Sequence, residues 1–122
     1  MKFSFEELEV WRIALDFAEK IYTTTQKFPK EEIYGVTNQL RRASLSISLN
    51  IAEGKGRYSN KEFKQFLFLS RGSLYETITL LKLCLRLKYL SEERYQELIK
   101  DCEVMQSKLA GLLNYLKTRI NP

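Results

Sequence analysis

The stretch Arg41–Arg57, which reads RRASLSISLNIAEGKGR, decides the fold. Its middle alternates apolar and polar residues with the period of a strand. A longer window favours a helix, because apolar residues recur at steps of three and four, the 3.6-residue signature; they are Ile33, Val36, Leu40, Ala43, Ile47 and Ile51. Leu45, Leu49 and Ala52 form a second apolar stripe. A helix covered on most of its circumference is expected at the centre of a bundle or an assembly.

Two helices are expected up to the end of this stretch. Ser4 with Glu7 predicts a capping box for a first helix over residues 4–26, and Phe28-Pro29 breaks the chain after it. The central helix is expected over residues 30–53. Gly54 then ends that helix as the glycine that follows the last helical residue.

Two further helices follow. Ser59 with Glu62 predicts the start of a helix over residues 59–88, and Ser91 caps a last helix over residues 91–119. The loops between helices are short, and no internal repeat or linker is visible. The sequence therefore predicts an all-α protein, an up-down-up-down four-helix bundle that forms a single domain over residues 1–122.

Small residues predict where the second and third helices meet. If the two are antiparallel about the 54–58 loop, residues whose numbers sum to about 112 lie at one level. Ser70, Gly72 and Ser73 would then lie beside residues 39–44. Gly72 inside a helix is costly, and a close approach of the two backbones would explain it.

The composition excludes several classes of protein. A chain of 122 residues, 44% hydrophobic and 29% charged, can bury one core without disulfides or metal. It has no run of about 18 apolar residues, so no membrane span is expected. The segment Met1-Lys2-Phe3-Ser4 leads directly into charged residues without the apolar region of a signal peptide, so we expect a cytoplasmic protein.

The absence of histidine is the strongest argument against catalysis. The sequence has no His and two Cys. In a hairpin of the last two helices Cys84 and Cys102 would miss each other by roughly 7 Å along the axis, so two buried reduced thiols are expected. Without His, a zinc site is disfavoured and Ser-His-Asp and Cys-His catalysis are excluded. We therefore expect a non-enzymatic protein with no cofactor, metal or small-molecule substrate.

The net charge of +5 is unevenly spread along the chain. Residues 29–90 carry a charge of +6, and the two flanking segments together carry −1. A positive field on one part of a molecule suits a polyanionic partner. An excess that serves only solubility is the alternative, and composition leaves both open.

The loop Gly54-Lys55-Gly56-Arg57 is a candidate anion site, because it leads into a helix N-terminus. It lacks the glycine spacing of a phosphate-binding Walker loop. Lys55 and Arg57, with Lys61 and Lys64 one turn further on, are candidates for contacts to an RNA or DNA backbone. The alternative is that the glycines only end a helix and turn the chain.

Three arginines are further candidates. Arg41 and Arg42 lie in mid-helix among apolar residues, and Arg71 lies at the same level of the proposed hairpin. They would add positive charge to a nucleic-acid surface. The alternative is that they form salt bridges within the bundle or across a subunit interface.

A polar network is expected between the second and third helices. Its predicted members are Gln39, Asn50, Glu53 and Glu76. Glu53 opposes the dipole at a helix C-terminus, so a cation, Arg57 or Arg42, is expected to hold it. These carboxylates lack a cleft for acid–base catalysis, so the network is interpreted as locking the helix register.

Exposed aromatic residues near the basic ones extend the nucleic-acid hypothesis. Tyr34, Tyr58 and Phe68 are candidates for stacking on bases. For Phe68 an oligomer interface is an equal alternative.

Motifs along nearly the whole chain resemble one family. They are Phe5, Leu8 and Trp11; Phe28-Pro29-Lys30-Glu31; Gln39-Leu40-Arg41-Arg42-Ala43; Asn50-Ile51-Ala52-Glu53-Gly54; Gly56-Arg57; Phe63 and Phe66-Leu67; and Gly72-Ser73-Leu74 with Glu76. The combination resembles the bacterial four-helix bundle proteins encoded in intervening sequences of large-subunit (23S) ribosomal RNA genes, most of which have no assigned activity. That family is similar in fold to the accessory proteins of diversity-generating retroelements, which are basic, pentameric and bind nucleic acid. The resemblance implies a homo-oligomer, a pentamer, with RNA or DNA as a partner.

Two hypotheses about function result. The first is a self-assembling bundle whose basic surface binds nucleic acid, and the second is a structural or protein-interaction module without a nucleic-acid role. The salt dependence of binding distinguishes the two hypotheses. Phosphate contacts release counterions, so their affinity falls steeply as salt rises, whereas the affinity of a hydrophobic protein interface is nearly independent of salt.

Overall fold

The computed structural model describes residues 2–119, which form four α-helices. They are α1 (Glu9–Thr25), α2 (Val36–Lys55), α3 (Asn60–Arg86) and α4 (Glu92–Lys117), with 3₁₀ turns at Ser4–Glu7 and Lys30–Glu32. Successive helices are joined by short loops and run antiparallel, and α4 packs back onto α1. The predicted all-α, up-down-up-down four-helix bundle is confirmed; residues 1 and 120–122 of the predicted domain lie outside the described residues.

All four helices contribute to one core. Its largest fully buried side chains are Phe17 and Ile21 of α1, Leu40, Ile47 and Ile51 of α2, Leu67, Leu74 and Leu81 of α3, and Leu98, Met105 and Leu109 of α4. Burying each such side chain contributes about 1.5–3 kcal/mol before entropy is counted. The second stripe of α2 is not covered within one chain, because Leu45 is half-buried and Leu49 is 58% exposed.

Helix α1 begins at Glu9, so the predicted start at Ser4 is wrong. Residues Ser4–Glu7 form a 3₁₀ turn, and Leu8 has an extended backbone that separates it from α1. The Ser4 hydroxyl does not cap this turn; the Phe3 N–H donates to the Glu6 carboxylate at 2.8 Å. The pair that forms is Phe3 with Glu6, one residue earlier in the chain than the predicted pair of Ser4 with Glu7.

Helix α2 begins at Val36 and not at Lys30. Pro29 leads into the 3₁₀ turn, and Gly35, with φ −110° and ψ −120°, separates that turn from α2. The Val36 N–H donates to the Glu32 carboxylate at 3.2 Å, which satisfies one free donor of the first turn. Gly35 therefore marks the start of α2.

Gly54 lies inside α2, so the prediction that it ends the helix is also wrong. The helix continues to Lys55, and Gly54 is buried. A Cβ atom built on Gly54 would lie 2.6 Å from Cβ of Phe66, closer than two carbon atoms pack. Glycine is required here because α3 passes directly against the α2 backbone.

Gly72, where the close approach was predicted, is exposed, and a Cβ there would meet no atom within 4 Å. The register between α2 and α3 therefore differs from the predicted one. The Ser70 hydroxyl donates to the Ile47 carbonyl oxygen at 2.8 Å, so residues whose numbers sum to about 117 lie at one level. This register brings Gly54, and not Gly72, into contact across the hairpin.

The predicted caps of α3 and α4 are confirmed. The Ser59 hydroxyl accepts a hydrogen bond from the Glu62 N–H at 3.2 Å, and the Ser91 hydroxyl accepts one from the Arg94 N–H at 3.1 Å. Both cysteines are free and buried, as expected. Burial raises the pKa of Cys84 to about 11 and that of Cys102 to about 12. Within residues 2–119 no helix has the length and apolarity to cross a membrane.

Exchange of each of two glycines for alanine should change stability in opposite directions. Gly54→Ala forces α2 and α3 apart and should lower the free energy of unfolding by about 1–3 kcal/mol. Gly72→Ala, the matched control, fills open space on a helix and should raise it by about 0.5–1 kcal/mol. Urea unfolding followed by Trp11 fluorescence measures both; a stabilising Gly54→Ala would contradict the close approach.

Candidate nucleic-acid interface

Helix α3 carries a line of cationic and aromatic side chains along its flank towards α4. Its members, which we call the basic stripe, are Lys61, Lys64, Phe68, Arg71, Tyr75 and Lys82. Their spacing places them on one flank of a helix. The Lys82 ammonium donates to the Tyr95 hydroxyl of α4 at 3.0 Å, which identifies the flank. The two acidic residues of α3, Glu62 and Glu76, lie outside the stripe.

Aromatic rings hold the cations of the stripe. Lys64 Nζ lies 5.9 Å from the centre of the Phe68 ring. Arg71 Cζ lies 4.9 Å from the Phe68 ring centre and 6.0 Å from that of Tyr75. These are cation–π distances, and such a contact positions a cation without neutralising it. The stripe therefore keeps its full positive charge.

A groove of about 350 Å³ lies between α3 and α4 beside Phe68. It is lined by Lys64, Phe68 and Arg71 of α3 and by Ala110, Leu113, Asn114 and Lys117 of α4. Three of these side chains are cationic and none is acidic. Between residues 2 and 119 no ion pair involves Lys64, Arg71 or Lys117. The groove is thus a positive site without counter-charge, which is the setting that attracts an anion.

The loop after α2 is a weaker candidate than predicted. The N-terminus of α3 is already satisfied by Ser59, and the Glu62 carboxylate accepts from the Ser59 hydroxyl at 3.2 Å, which adds negative charge there. Lys55 Nζ lies 5.6 Å from the Phe63 ring centre. Arg57 lies over the Phe66 ring and 3.5 Å from Glu53. Both basic side chains are exposed, but they lie over rings on the side of α3 that packs against α2, away from the flank of the stripe.

Arg41 and Arg42 have different environments. The Arg41 Nε donates to the Thr25 hydroxyl at 2.8 Å, and its guanidinium lies 4.8 Å from the Tyr22 ring centre. Arg41 therefore fastens α2 to the end of α1 through hydrogen bonds and not through the salt bridge offered as the alternative. Arg42 is exposed, with no hydrogen bond or ion pair to the rest of the described chain. The predicted grouping with Arg71 does not form, because Arg41 faces α1 and Arg71 faces α4.

The predicted polar network is fragmentary within one chain. The Asn50 amide donates to the Ser46 carbonyl oxygen at 2.9 Å, and Glu53 is held by Arg57, one of its two predicted partners. Gln39 and Glu76 are exposed. Across residues 2–119 no hydrogen bond joins any two of Gln39, Asn50, Glu53 and Glu76, so a network that locks the register stays a prediction.

Sequence reasoning missed three cationic or aromatic members of the stripe and the groove: Tyr75, Lys82 and Lys117. Tyr75 was detectable, since Lys61, Lys64, Phe68, Arg71 and Tyr75 step by 3, 4, 3 and 4 along one helix flank. Lys117 had no local signal, because only the packing of α4 on α3 brings it to Phe68. Two aromatic candidates, Tyr34 and Tyr58, are fully exposed on loops away from the groove.

Metal binding has no obvious location in the described part of the chain. From residue 2 to residue 119, Cys, Asp and Glu side chains form no cluster of three that could hold a metal ion.

Comparisons with known proteins identify the fold. A family model described as 23S rRNA-intervening sequence protein matches residues 6–111. A crystal structure from Bacteroides thetaiotaomicron, described as a protein with unknown function from the S23 ribosomal protein family, has a TM-score of 0.77 and 24% sequence identity. The match covers 85% of this chain and 97% of that one, and at this identity it shows the fold alone. No curated protein matches the chain.

The neighbouring Arg41 and Arg42 should contribute differently to the free energy of unfolding. Arg41→Met removes the hydrogen bonds to the end of α1 and should lower the free energy of unfolding by about 1–2 kcal/mol. Arg42→Met, its matched neighbour, should change it by less than about 0.5 kcal/mol. Equal losses in urea unfolding would show that Arg41 has no special structural role.

Proposed function

This chain belongs to the family of 23S rRNA-intervening sequence proteins, and from that premise we propose that it is a non-enzymatic, self-assembling four-helix bundle that binds the backbone of RNA or DNA. The observation that carries the proposal is the groove of Lys64, Arg71 and Lys117, which has three cations and no acidic lining residue. Phosphate diesters are the commonest polyanions that fit such a site.

The cations of the groove suit phosphates in different ways. The Arg71 guanidinium presents a planar fork of donors that matches two phosphate oxygens. Lys64 and Lys117 act as point charges at the two walls of the groove. Lys55, Arg57 and Lys61 continue the positive surface towards the loop end of the bundle. Such contacts read charge and not bases, so binding is without sequence specificity.

A catalytic role has no support in the side-chain chemistry. The sequence has no histidine, and both thiols are buried with raised pKa values. A buried thiol whose pKa lies far above neutrality is not a nucleophile at neutral pH.

Self-assembly rests on an exposed apolar surface. Four leucines, which we call the leucine face, are 43–58% exposed: Leu49 of α2, Leu69 and Leu83 of α3, and Leu87, which directly follows α3. Leu49 and Leu69 lie at the same level in the register set by Ser70 and Ile47. A second copy that covers this face would remove the leucines from water. A ring of copies, a pentamer, also multiplies the grooves and strengthens weak phosphate contacts through multivalency.

The leucine face also supports the alternative, a protein-interaction module. A different protein docked on these leucines would leave the groove without a ligand. The two functions separate experimentally, because counterion release makes phosphate binding steeply dependent on salt and leaves apolar docking nearly unaffected.

Charge reversal in the groove should weaken nucleic-acid binding. Purified protein should bind structured RNA and duplex DNA in fluorescence anisotropy, with an affinity that falls steeply as salt rises. Lys64→Glu with Lys117→Glu should lower the affinity by about tenfold or more at low salt and flatten the salt dependence.

The control for this experiment is a double variant with the same net charge as the Lys64→Glu, Lys117→Glu variant. Lys27→Glu with Lys100→Glu reverses two exposed lysines elsewhere on the bundle and should have a much smaller effect. Equal losses in the two double variants would show that only net charge matters. No binding by the wild-type protein at low salt would overturn the nucleic-acid proposal and favour the protein-interaction module.

Assembly should depend on the leucine face. Leu69→Glu places a charge where an apolar contact is proposed and should reduce the molar mass measured by light scattering to that of one chain. Val104→Glu, a control on α4 with 44% exposure, should leave the oligomer intact. A monomeric wild-type protein, or an unchanged Leu69→Glu oligomer, would contradict the proposed interface.

A further inference from the structure

We infer that the groove, together with the adjoining ring of Tyr75, takes single-stranded nucleic acid in preference to duplex, with an unpaired base stacked between Arg71 and Tyr75. This inference deepens the proposed function and rests on it. It adds the class of nucleic acid, which the cations alone do not determine, because phosphates are displayed by single strands and duplexes alike.

The first argument is the exposure of the two rings. Phe68 is 41% exposed and Tyr75 is 47% exposed, although both lie on the flank that α3 turns towards α4. Exposed rings interleaved with cations form the usual surface on which proteins stack unpaired bases. In a duplex the bases are already stacked and paired, so a duplex could use only the cations.

The second argument is the spacing along α3. Phe68 and Tyr75 are seven residues apart, which is about 10 Å along a helix. That is about three times the 3.4 Å spacing of stacked bases. The Arg71 guanidinium fills one position between the rings, since its Cζ lies 4.9 Å from the centre of the Phe68 ring and 6.0 Å from that of Tyr75. One further planar group, a base, would complete the stack.

The third argument is the room beside Arg71. The 6.0 Å from Arg71 Cζ to the centre of the Tyr75 ring is about 1 Å less than two stacking intervals of 3.4 Å. A small change in the Arg71 side chain supplies that difference. The groove of about 350 Å³ lies at the lower end of the range of small-ligand clefts, which is room for one nucleotide.

The fourth argument is the position of the charges around this stack. Lys64 and Lys117 lie in the same groove as Phe68, and no acidic side chain lines it. A base between Arg71 and Tyr75 therefore has cations within reach of its own phosphate and the next one. Stacking is tolerant of base identity, so this mode remains without sequence specificity.

Ring removal tests the inference while the charges stay in place. Wild-type protein is titrated against a single-stranded RNA of about 16 nucleotides, a DNA of the same sequence, and the corresponding duplexes. The single strands should bind more tightly. Phe68→Leu and Tyr75→Leu should each weaken single-strand binding by about tenfold and should weaken duplex binding much less, because the cations that a duplex uses are retained.

Two controls separate stacking from charge and from folding. Tyr75→Phe keeps the ring and should retain the wild-type affinity. Lys64→Gln with Lys117→Gln should weaken single strands and duplexes together and reduce the salt dependence of both, whereas the leucine variants should leave the salt dependence unchanged.

The outcomes distinguish this inference from the proposed function. Equal affinity for single strands and duplexes, unaffected by the leucine variants, would overturn the stacking inference and leave backbone binding standing. An absence of binding to any of the four nucleic acids at low salt would overturn both.

Discussion

The register between α2 and α3 is the constraint on which the other features of the surface depend. The Ser70 hydroxyl donates to the Ile47 carbonyl oxygen at 2.8 Å, and Gly54 admits Phe66 against the α2 backbone. A buried hydroxyl without a partner would cost about 1–3 kcal/mol, so sliding one helix along the other is penalised. With α3 fixed in this way, one of its flanks meets α4 as the basic stripe, and the other places leucines beside those of α2.

Much of this architecture could be predicted from local patterns. Helical periodicity gave the four helices and most of the core, and the Ser59 and Ser91 caps were recognisable because a capping hydrogen bond involves residues three apart. The start of α2 was missed because the Glu32 side chain and Gly35, rather than a Ser or Asp, prepare its first turn. The close approach was assigned to Gly72 and not to Gly54 because a glycine alone does not tell whether a helix ends or is approached closely there.

The candidate site was also only partly predictable from local patterns. Its cations and the ring of Phe68 follow from spacing on one helix, whereas Lys117 and the groove itself depend on how α4 packs, which no local pattern encodes. The structure explains why the positive charge of the site is not neutralised, which composition alone does not. Phe68 and Tyr75 hold Lys64 and Arg71 in position, so no carboxylate is needed to order them. Ordering by rings preserves the positive field that ordering by acids would cancel.

The burial of the two cysteines determines how the protein responds to oxidants. With a pKa of about 11, about one Cys84 thiol in ten thousand is ionised at neutral pH, and thiolate is the form that exchanges disulfides. Neither sulfur reaches the surface, so copies of the bundle cannot be cross-linked through them while folded. If copies associate as proposed, that association is independent of the surrounding redox potential. An oxidant that links other proteins through disulfides would leave folded copies of this one without covalent links.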